Sequence, residues 1–463
     1  MGFLDYVNSL LGKRVFVIGA GVSNTPLIEA LLNAGVDVTV CDRRVRNELG
    51  SVAVMFEQKG AKLRLGDDYL SNIDADIIFR TPGLMPWNPE LQEAVARGAA
   101  LTSEMEVFLE VCPCKIIGVT GSDGKTTTTS LVGDILRNEG IKAYVGGNIG
   151  SPLLCKADAF GQDDIAVLEL SSFQLISMTR SPHIAVVTNV SPNHLDIHSG
   201  MDEYVKAKSN ILTHQADSDR VVLNLDNAYT RAYAGLAVGE KSFFSRSGKV
   251  SNGVFLKDGL IYESRLGSIA PLIQTDELFL PGIHNIENYM AAFAAVQGLV
   301  SVDAMKRTAR EFRGVSHRIE YITQIHEVTY YNDSSASSPS RTIAALKSFD
   351  QKVILIAGGK SKGIEFDGLG KAIGKHVKML YLTGMTAKHI RDAVVNAPGY
   401  NGEPGIFICD SLNHAAASAS EAAVPGDVVL FSPASTSFDS FKNFEHRGEV
   451  FKDIIRKMDM HGK

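Results

Sequence analysis

The sequence predicts an α/β protein of three domains with mostly parallel sheets, and three features carry that expectation. Its 463 residues, 45% hydrophobic and 21% charged, have ordinary globular composition at a length suited to several domains. Short β-branched runs alternate with helix-like stretches, the pattern of parallel strands covered by helices on both faces. Polar, glycine-containing motifs begin where those runs stop, and in such sheets ligands sit beyond the carboxyl ends of the strands.

The runs fall into three sets. The first holds 14–18, 37–40 and 75–79; the second holds 116–119, 165–170, 185–190 and 221–225; the third holds 353–357, 379–382, 406–409 and 428–431. One boundary is expected near Cys112–Pro113, ahead of a strand that leads into a glycine loop. The other is expected near Gly314–Val315, after a helical stretch over 285–313. The expected domains are therefore 1–112, 113–314 and 315–463.

Composition narrows the function. A formal net charge of −6 argues against a general nucleic-acid binder. No stretch is apolar and charge-free for long enough to cross a bilayer, and the opening Met-Gly-Phe-Leu-Asp-Tyr lacks the basic segment and apolar core of a secretion signal. Cys41, Cys112, Cys114, Cys155 and Cys409 form no CxxC pair, which suits a reducing compartment and disfavours zinc. The expectation is a cytoplasmic monomer acting on small molecules, without nucleic-acid or membrane partners.

In the first domain Gly19-Ala20-Gly21-Val22-Ser23-Asn24 follows a strand run, and Asp42 ends the next one. That spacing mimics the dinucleotide fingerprint, but Asn24 replaces its third glycine. Backbone amides at such a loop bind the diphosphate of any nucleotide, because they do not read the sugar.

The second domain carries the strongest local signal, Gly118-Val119-Thr120-Gly121-Ser122-Asp123-Gly124-Lys125-Thr126. Glycines let backbone N–H groups turn toward phosphate oxygens, and a helix starting near Lys125 adds its dipole. Lys125 neutralises β- and γ-phosphates in such loops, and Thr126 offers a hydroxyl to Mg²⁺. Strict spacing wants glycine at 119, where Val119 stands, so this is a variant. ATP and Mg²⁺ are the expected ligands.

Glu169, in Leu168-Glu169-Leu170-Ser171-Ser172-Phe173-Gln174-Leu175, ends one strand; His194, in Asn189-Val190-Ser191-Pro192-Asn193-His194, follows the next. A carboxylate and an imidazole at adjacent strand ends can hold a divalent cation. Lys206 and Lys208 lie on a predicted helix and, by residue type alone, read as solvated surface charges. Asn285 and Asn288 lie three apart, so a helix puts them on one face able to hold adenine or phosphate. Arg318 can grip a phosphate bidentately.

Taken together, the GVTGSDGKTT loop, the ELSSFQL run, His284-Asn285-Ile286-Glu287-Asn288 and His317-Arg318-Ile319-Glu320 resemble the Mur ligases and folylpolyglutamate synthases. The motifs occur in the family's order and span nearly the whole chain. The closing segment from Ser432 to Gly448 looks like SPAxxSxDxFxNFxxRG of the branch that adds D-glutamate, and the DNPR signature of diaminopimelate-adding members is absent.

The resemblance implies a Rossmann-like N-terminal domain, a P-loop-type central ATPase domain and a Rossmann-like C-terminal domain. It implies an ATP-dependent ligase that joins D-glutamate to a UDP-N-acetylmuramoyl-L-alanine acceptor through an acyl phosphate, in peptidoglycan precursor synthesis. By carry-over, Lys125, His194, Lys208 and Arg318 are catalytic, with Lys208 carbamoylated into a metal ligand beside Thr126, Glu169 and His194. ATP falls to Gly121, Ser122, Asp123, Gly124, Lys125, Thr126, Thr127, Asn285, Asn288, Arg318 and Asp333. The UDP-substrate falls to Val22, Ser23, Arg43, Thr81 (in the Arg80-Thr81-Pro82-Gly83 turn), Asn148 and Ser171. D-glutamate falls to Ser337, Lys362, Ser437, Phe438 and Phe444.

One departure stands out. Where many members read NDSKATN, this chain has Asn332-Asp333-Ser334-Ser335-Ala336-Ser337-Ser338, so the lysine position is Ser335, and Arg341 is the nearest substitute cation in sequence. The competing readings are a related ligase with another amino acid or acceptor, a nicotinamide dehydrogenase built on the first domain, and a nucleotide-gated binding protein without turnover.

Overall fold

The computed structural model describes residues 1–194, 197–361 and 365–461 and has three sheets. The first has five parallel strands in the order Lys62–Leu65, Asp37–Asp42, Arg14–Ile18, Ile77–Phe79 and Ala100–Thr102. The chain reverses its direction of winding at Arg14–Ile18, so the 19–24 loop opens at the crevice where such sheets bind ligands. Burial follows connectivity: Val15, Val17 and Val40 are fully enclosed, as strands covered on both faces require.

The second sheet has nine strands, and its centre is parallel: Ala143–Gly147, Ile165–Glu169, Lys115–Thr120, Ile184–Val187, Arg220–Asn224, Glu240–Ser245 and Gly253–Lys257. Leu260–Arg265 and Ser268–Gln274 continue it antiparallel. The strand runs of the first and second sets all form. Sequence patterning did not anticipate the four strands over 240–274. Two tight turns build that end of the sheet, Asp258-Gly259 and Leu266-Gly267, each with both residues at positive φ. This is the hairpin turn whose twist matches the strands. Pro271 sits on the edge strand, where a missing N–H costs no ladder bond.

The helical stretch after this sheet is two helices, Ile283–Val296 and Val302–Glu311. Residues 1–312 form one compact unit containing both sheets, and a core running from Phe3 and Val15 to Ile116 and Val187 is continuous through it. Arg80 fastens its parts. This buried guanidinium donates to the Phe173 carbonyl at 2.8 Å and to Ser177 Oγ at 2.8 and 3.1 Å. Burial pushes its pKa down to about 10, so it stays charged at neutral pH.

Residues 313–463 form the second unit, around a six-stranded sheet in the order Glu320–Ile325, Val328–Asn332, Val428–Phe431, Val353–Gly358, Val377–Thr383 and Gly405–Ile408. All pairs are parallel except the first. Apolar clusters cover both faces, one around Leu355, Leu380 and Ile390, the other around Ile356, Phe431 and Phe451. Among the described residues, no helix is long and apolar enough to cross a membrane.

Arg80→Ala leaves several buried carbonyl and hydroxyl oxygens without a charged donor. Its urea unfolding free energy is expected to fall by about 3 kcal/mol, with Arg80→Lys recovering only part of the loss.

Candidate active site

Strand Lys115–Thr120 ends at the glycine loop, and helix Lys125–Asn138 starts immediately after it. Val119 is buried inside the strand, which explains the departure from strict spacing: the turn begins only at Gly121. A Cβ on Gly121 would fall 1.9 Å from Thr188 Oγ1, and Gly124 caps the helix in the left-handed conformation with Asn288 Oδ1 against it. Neither position tolerates a side chain. The next strand end holds the loop's outer edge, since Ser122 N donates to the Asn189 carbonyl and Asp123 N to Asn189 Oδ1, both at 2.9 Å.

Lys125 folds over this loop, its Nζ donating to the carbonyls of Gly121 and Ser122 at 2.9 Å. Lys208 reaches the same Gly121 carbonyl from helix Met201–Thr213, at 2.8 Å. The reading of Lys208 as a solvated charge is corrected here. It is 1% exposed, while Lys206 stays on the surface as expected. The helix turns residues 204, 207, 208 and 211 to the core and 206 away, so one lysine is buried with its aromatic neighbour Tyr204. Burial first, and then the Lys125 charge, push the Lys208 pKa well below that of an ordinary lysine.

Glu169 is also buried. Thr126 Oγ1 donates to its Oε2 at 2.7 Å and Asn148 Nδ2 to its Oε1 at 2.8 Å. Asn148, expected beside the UDP-substrate, thus orients the carboxylate next to the phosphate loop. His194 is exposed, at positive φ, with its ring edge-on to Phe173 at 5.2 Å. Asn288 Nδ2 donates to Asn285 Oδ1 at 3.3 Å, and Asn288 meets Thr128 Oγ1, so the expected asparagine pair does share one face, against the loop. Thr127 is half-buried in the first turn of the loop's helix. Among the described residues, no group of three or more His, Cys, Asp or Glu side chains is placed to hold a metal ion.

At the first sheet, Val22 is 79% exposed, Ser23 and Arg43 are exposed, and Thr81 is half-buried against Gly19. The resemblance assigned Arg43 to the UDP-substrate; its neighbour Arg44 is the arginine that turns back onto the glycine loop. It pairs with Asp42 at 2.8 Å and reaches the Ala20 carbonyl at 3.0 Å. Asp42 also accepts from Ala20 N at 2.8 Å, so the carboxylate that mimicked a ribose-binding acid closes the loop instead. Ser171 caps the short helix Ser172–Leu175 in a reciprocal pair with Gln174.

The second unit gathers its own cluster. Asp333 is buried, accepts from Ser432 Oγ at 2.6 Å and from Ile319 N at 3.3 Å, and burial raises its pKa to about 7. The Arg318 and Arg341 charges act against that rise. Arg318 is exposed beside it, and Arg341 Nη1 donates to the Ser335 carbonyl at 3.1 Å, so a guanidinium does reach the turn that lacks the family lysine. Ser337 is half-buried on the same turn.

Ser437 is buried, Phe438 is 65% exposed, and Phe444 meets His317 edge-on at 6.1 Å. Lys360 and Thr436 exchange backbone hydrogen bonds at 2.9 and 3.0 Å, joining the base of the Gly358-Gly359-Lys360 turn to the Ser437 run. Lys362, expected to bind a carboxylate, lies outside the described residues. Arg447 received no role from the sequence. It is buried, donates to Ser334 and Ser435, and among the described residues its Nη1 has no hydrogen-bond partner.

A phosphate loop on a mostly parallel sheet, with a further α/β sheet before it and another after it in the chain, defines the class as a nucleotide-dependent multidomain α/β protein. Residues 119–296 match the Mur ligase middle domain and 317–435 the Mur ligase glutamate ligase domain. The chain belongs to the Mur ligase family. It is 49% identical over 458 residues to UDP-N-acetylmuramoylalanine--D-glutamate ligase of Ruminiclostridium cellulolyticum, covering 98% of each chain. It is 47% identical to the protein of the same name from Acetivibrio thermocellus, again covering 98% of both. Among solved structures, the fold is similar to UDP-N-acetylmuramate-alanine ligase from Thermotoga maritima, with TM-score 0.54 at 18% identity over 96% of this chain and 100% of that one. It is also similar to MurF from Acinetobacter baumannii, with TM-score 0.56 at 16% identity over 79% and 87%.

Asp333 gives a pH signature. Its folded pKa, about 7, lies above its ordinary value of 3.8, so the native state binds the extra proton between those values. Stability therefore falls as pH rises through that window and levels off above it, by at most roughly 4 kcal/mol. Between pH 5 and pH 8 the urea midpoint of Asp333→Asn is expected to change less than that of the parent chain; equal changes would mean Asp333 is already ionised at pH 5.

Proposed function

We propose that this protein joins D-glutamate to UDP-N-acetylmuramoyl-L-alanine at the expense of ATP, a step of cytoplasmic peptidoglycan-precursor synthesis. The observation that supports this most is the near-full-length identity to ligases bearing that name. The buried cluster of Thr126, Glu169 and Lys208 beside the phosphate loop, with Asn148 holding Glu169 from the exposed side, supplies the chemistry.

In this reading residues 1–112 hold the UDP end through Val22, Ser23, Arg43 or its neighbour Arg44, and Thr81. Residues 113–314 hold ATP, and 315–463 hold the amino acid. A terminal carboxylate oxygen of the acceptor attacks the γ-phosphorus of ATP, the bond to the β-phosphate oxygen breaks, and ADP leaves. The free amine of D-glutamate then attacks the acyl phosphate carbon, loses a proton, and expels inorganic phosphate to leave an amide. Lys125 offsets charge on the transferring phosphoryl group, which is mainly a matter of position and electrostatics, and Arg318 is a catalytic guanidinium of the second unit. Arg341 supplies at the Ser335 turn the positive charge that a lysine supplies elsewhere in the family. Ser337, Lys362, Ser437, Phe438 and Phe444 receive the amino acid.

The donor set beside the loop fits Mg²⁺, which takes one or two carboxylates and fills its shell with phosphate oxygens and waters. Thr126 and Glu169 would hold it, with His194 and a carbamate on Lys208, and when bound it neutralises phosphate charge. The carbamate forms when the neutral amine of Lys208 attacks CO₂ and releases a proton. A buried lysine pushed toward neutrality is suited to that reaction.

Phosphate release with UDP-N-acetylmuramoyl-L-alanine and single amino acids is expected with D-glutamate and not with L-alanine, L-lysine or diaminopimelate. Release with L-alanine alone would overturn the reading. Lys125→Ala is expected to lower kcat by about 100-fold or more without unfolding the chain. Lys208→Ala is expected to lose activity and regain part of it with added short-chain carboxylic acids, while bicarbonate depletion slows only the parent enzyme.

A further inference from the structure

Helix Met201–Thr213 and the short helix Ser172–Leu175 enclose an imidazole to which neither motif pattern nor residue type gave a role. His198 is 3% exposed, and both its ring nitrogens are engaged. Nδ1 lies 2.8 Å from Glu203 Oε1 and Nε2 lies 3.0 Å from Ser172 Oγ. A carboxylate can only accept, so Nδ1 carries a proton, and Nε2 pairs with the Ser172 hydroxyl, which can serve as donor or acceptor. Glu203 is itself fixed, since Ser199 Oγ donates to its Oε2 at 2.7 Å and Ser199 N to its Oε1 at 3.3 Å. The chain Glu203–His198–Ser172 therefore sets both the tautomer and the plane of the ring.

That plane matters to its neighbours. The His198 ring stacks on Phe173 at 5.2 Å with only 5° between planes, and Phe173 in turn meets the His194 ring edge-on at 5.2 Å. His198 N also donates to the His194 carbonyl at 3.0 Å. On another side His198 meets Tyr204 edge-on at 5.2 Å. The Tyr204 hydroxyl is 3.0 Å from Ser122 Oγ in the phosphate loop, and the Lys208 ammonium lies 4.7 Å over the Tyr204 ring. One side chain thus borders the supports of His194, the phosphate loop and Lys208. Its backbone links it directly to His194, and its ring reaches that residue through Phe173 and the other two groups through Tyr204.

We propose that His198, oriented by Glu203 and Ser172, is a positioning residue that sets the His194 imidazole, through Phe173, and the Lys208 amine, through Tyr204, for binding a divalent cation with nucleotide. The proposal rests on the cation-dependent ligase reading. A tautomer-fixing carboxylate behind an imidazole is how outer partners orient metal ligands, and losing one typically costs about 10- to 100-fold in metal affinity or activity.

The test uses the full-length enzyme with four variants. Glu203→Ala removes the orienting carboxylate, and Glu203→Gln keeps an acceptor for Nδ1. His198→Phe keeps the stacking ring without its hydrogen bonds, and Ser172→Ala removes the Nε2 partner. Mn²⁺ affinity is read by electron paramagnetic resonance in the presence of a non-hydrolysable ATP analogue, and kcat and KM by phosphate release. Glu203→Ala and His198→Phe are expected to weaken Mn²⁺ binding and lower kcat by about 10- to 100-fold, with KM for ATP changed less than about 3-fold. Glu203→Gln is expected to recover most of both, and Ser172→Ala to fall between.

Folded variants that lose thermal stability yet keep parental Mn²⁺ affinity and kcat would reduce His198 to a packing residue and overturn the proposal. Should His198→Phe fail to fold, the Glu203→Ala and Glu203→Gln pair decides the matter from the partly exposed end of the chain. If the parent enzyme shows no D-glutamate-dependent phosphate release, the ligase reading fails, while the Mn²⁺ measurement still judges the role of His198.

Discussion

Two ammonium groups share one backbone oxygen. Lys125 and Lys208 both donate to the Gly121 carbonyl, one from the helix that begins at the loop and one from a helix more than eighty residues later. The arrangement holds only because Gly121 has no side chain, because Thr188 and Asn189 brace the loop from the next strand, and because Tyr204 presents an aromatic face to the second lysine. Burial first, and the nearby Lys125 charge second, drive Lys208 toward its neutral form. In the proposed ligase, a charge conflict that would be a defect in an ordinary core is what suits this amine to carbamate formation.

From that point outward the first unit is organised by strand ends. Glu169 closes one strand, Thr188 and Asn189 follow another, and the glycine loop lies on the strand between them. Parallel pairing puts these termini at one edge of the sheet, so residues far apart in sequence meet with little help from loops. The same logic governs the second unit, where Asp333 and Ser432 follow neighbouring parallel strands and meet at 2.6 Å.

Much of this was legible because it rests on local rules. Continuous apolar runs marked the strands that carry the site loops, and glycine spacing marked the phosphate loop. The edge of the second sheet escaped because runs such as Glu240–Ser245 and Ser268–Gln274 are short and mixed in polarity. Yet Asp258-Gly259 is a standard hairpin signal that could have found it. The turn between Glu320–Ile325 and Val328–Asn332 gave no such cue, because His326 and Glu327 adopt positive φ without glycine. At the site, residue type misjudged Lys208, since only the helix's packed face reveals its burial. Arg44, Arg447 and His198 were missed for a related reason: their roles lie in partners brought together by the fold.

The central claim is that this loop and its buried lysine serve phosphoryl transfer to a carboxylate. The most direct measurement is the fate of oxygen. When the terminal carboxylate of UDP-N-acetylmuramoyl-L-alanine carries ¹⁸O and turnover proceeds with ATP and D-glutamate, the account predicts inorganic phosphate bearing one ¹⁸O atom, by mass spectrometry or ³¹P isotope shift. Unlabelled phosphate from a reaction that still forms the amide would contradict it.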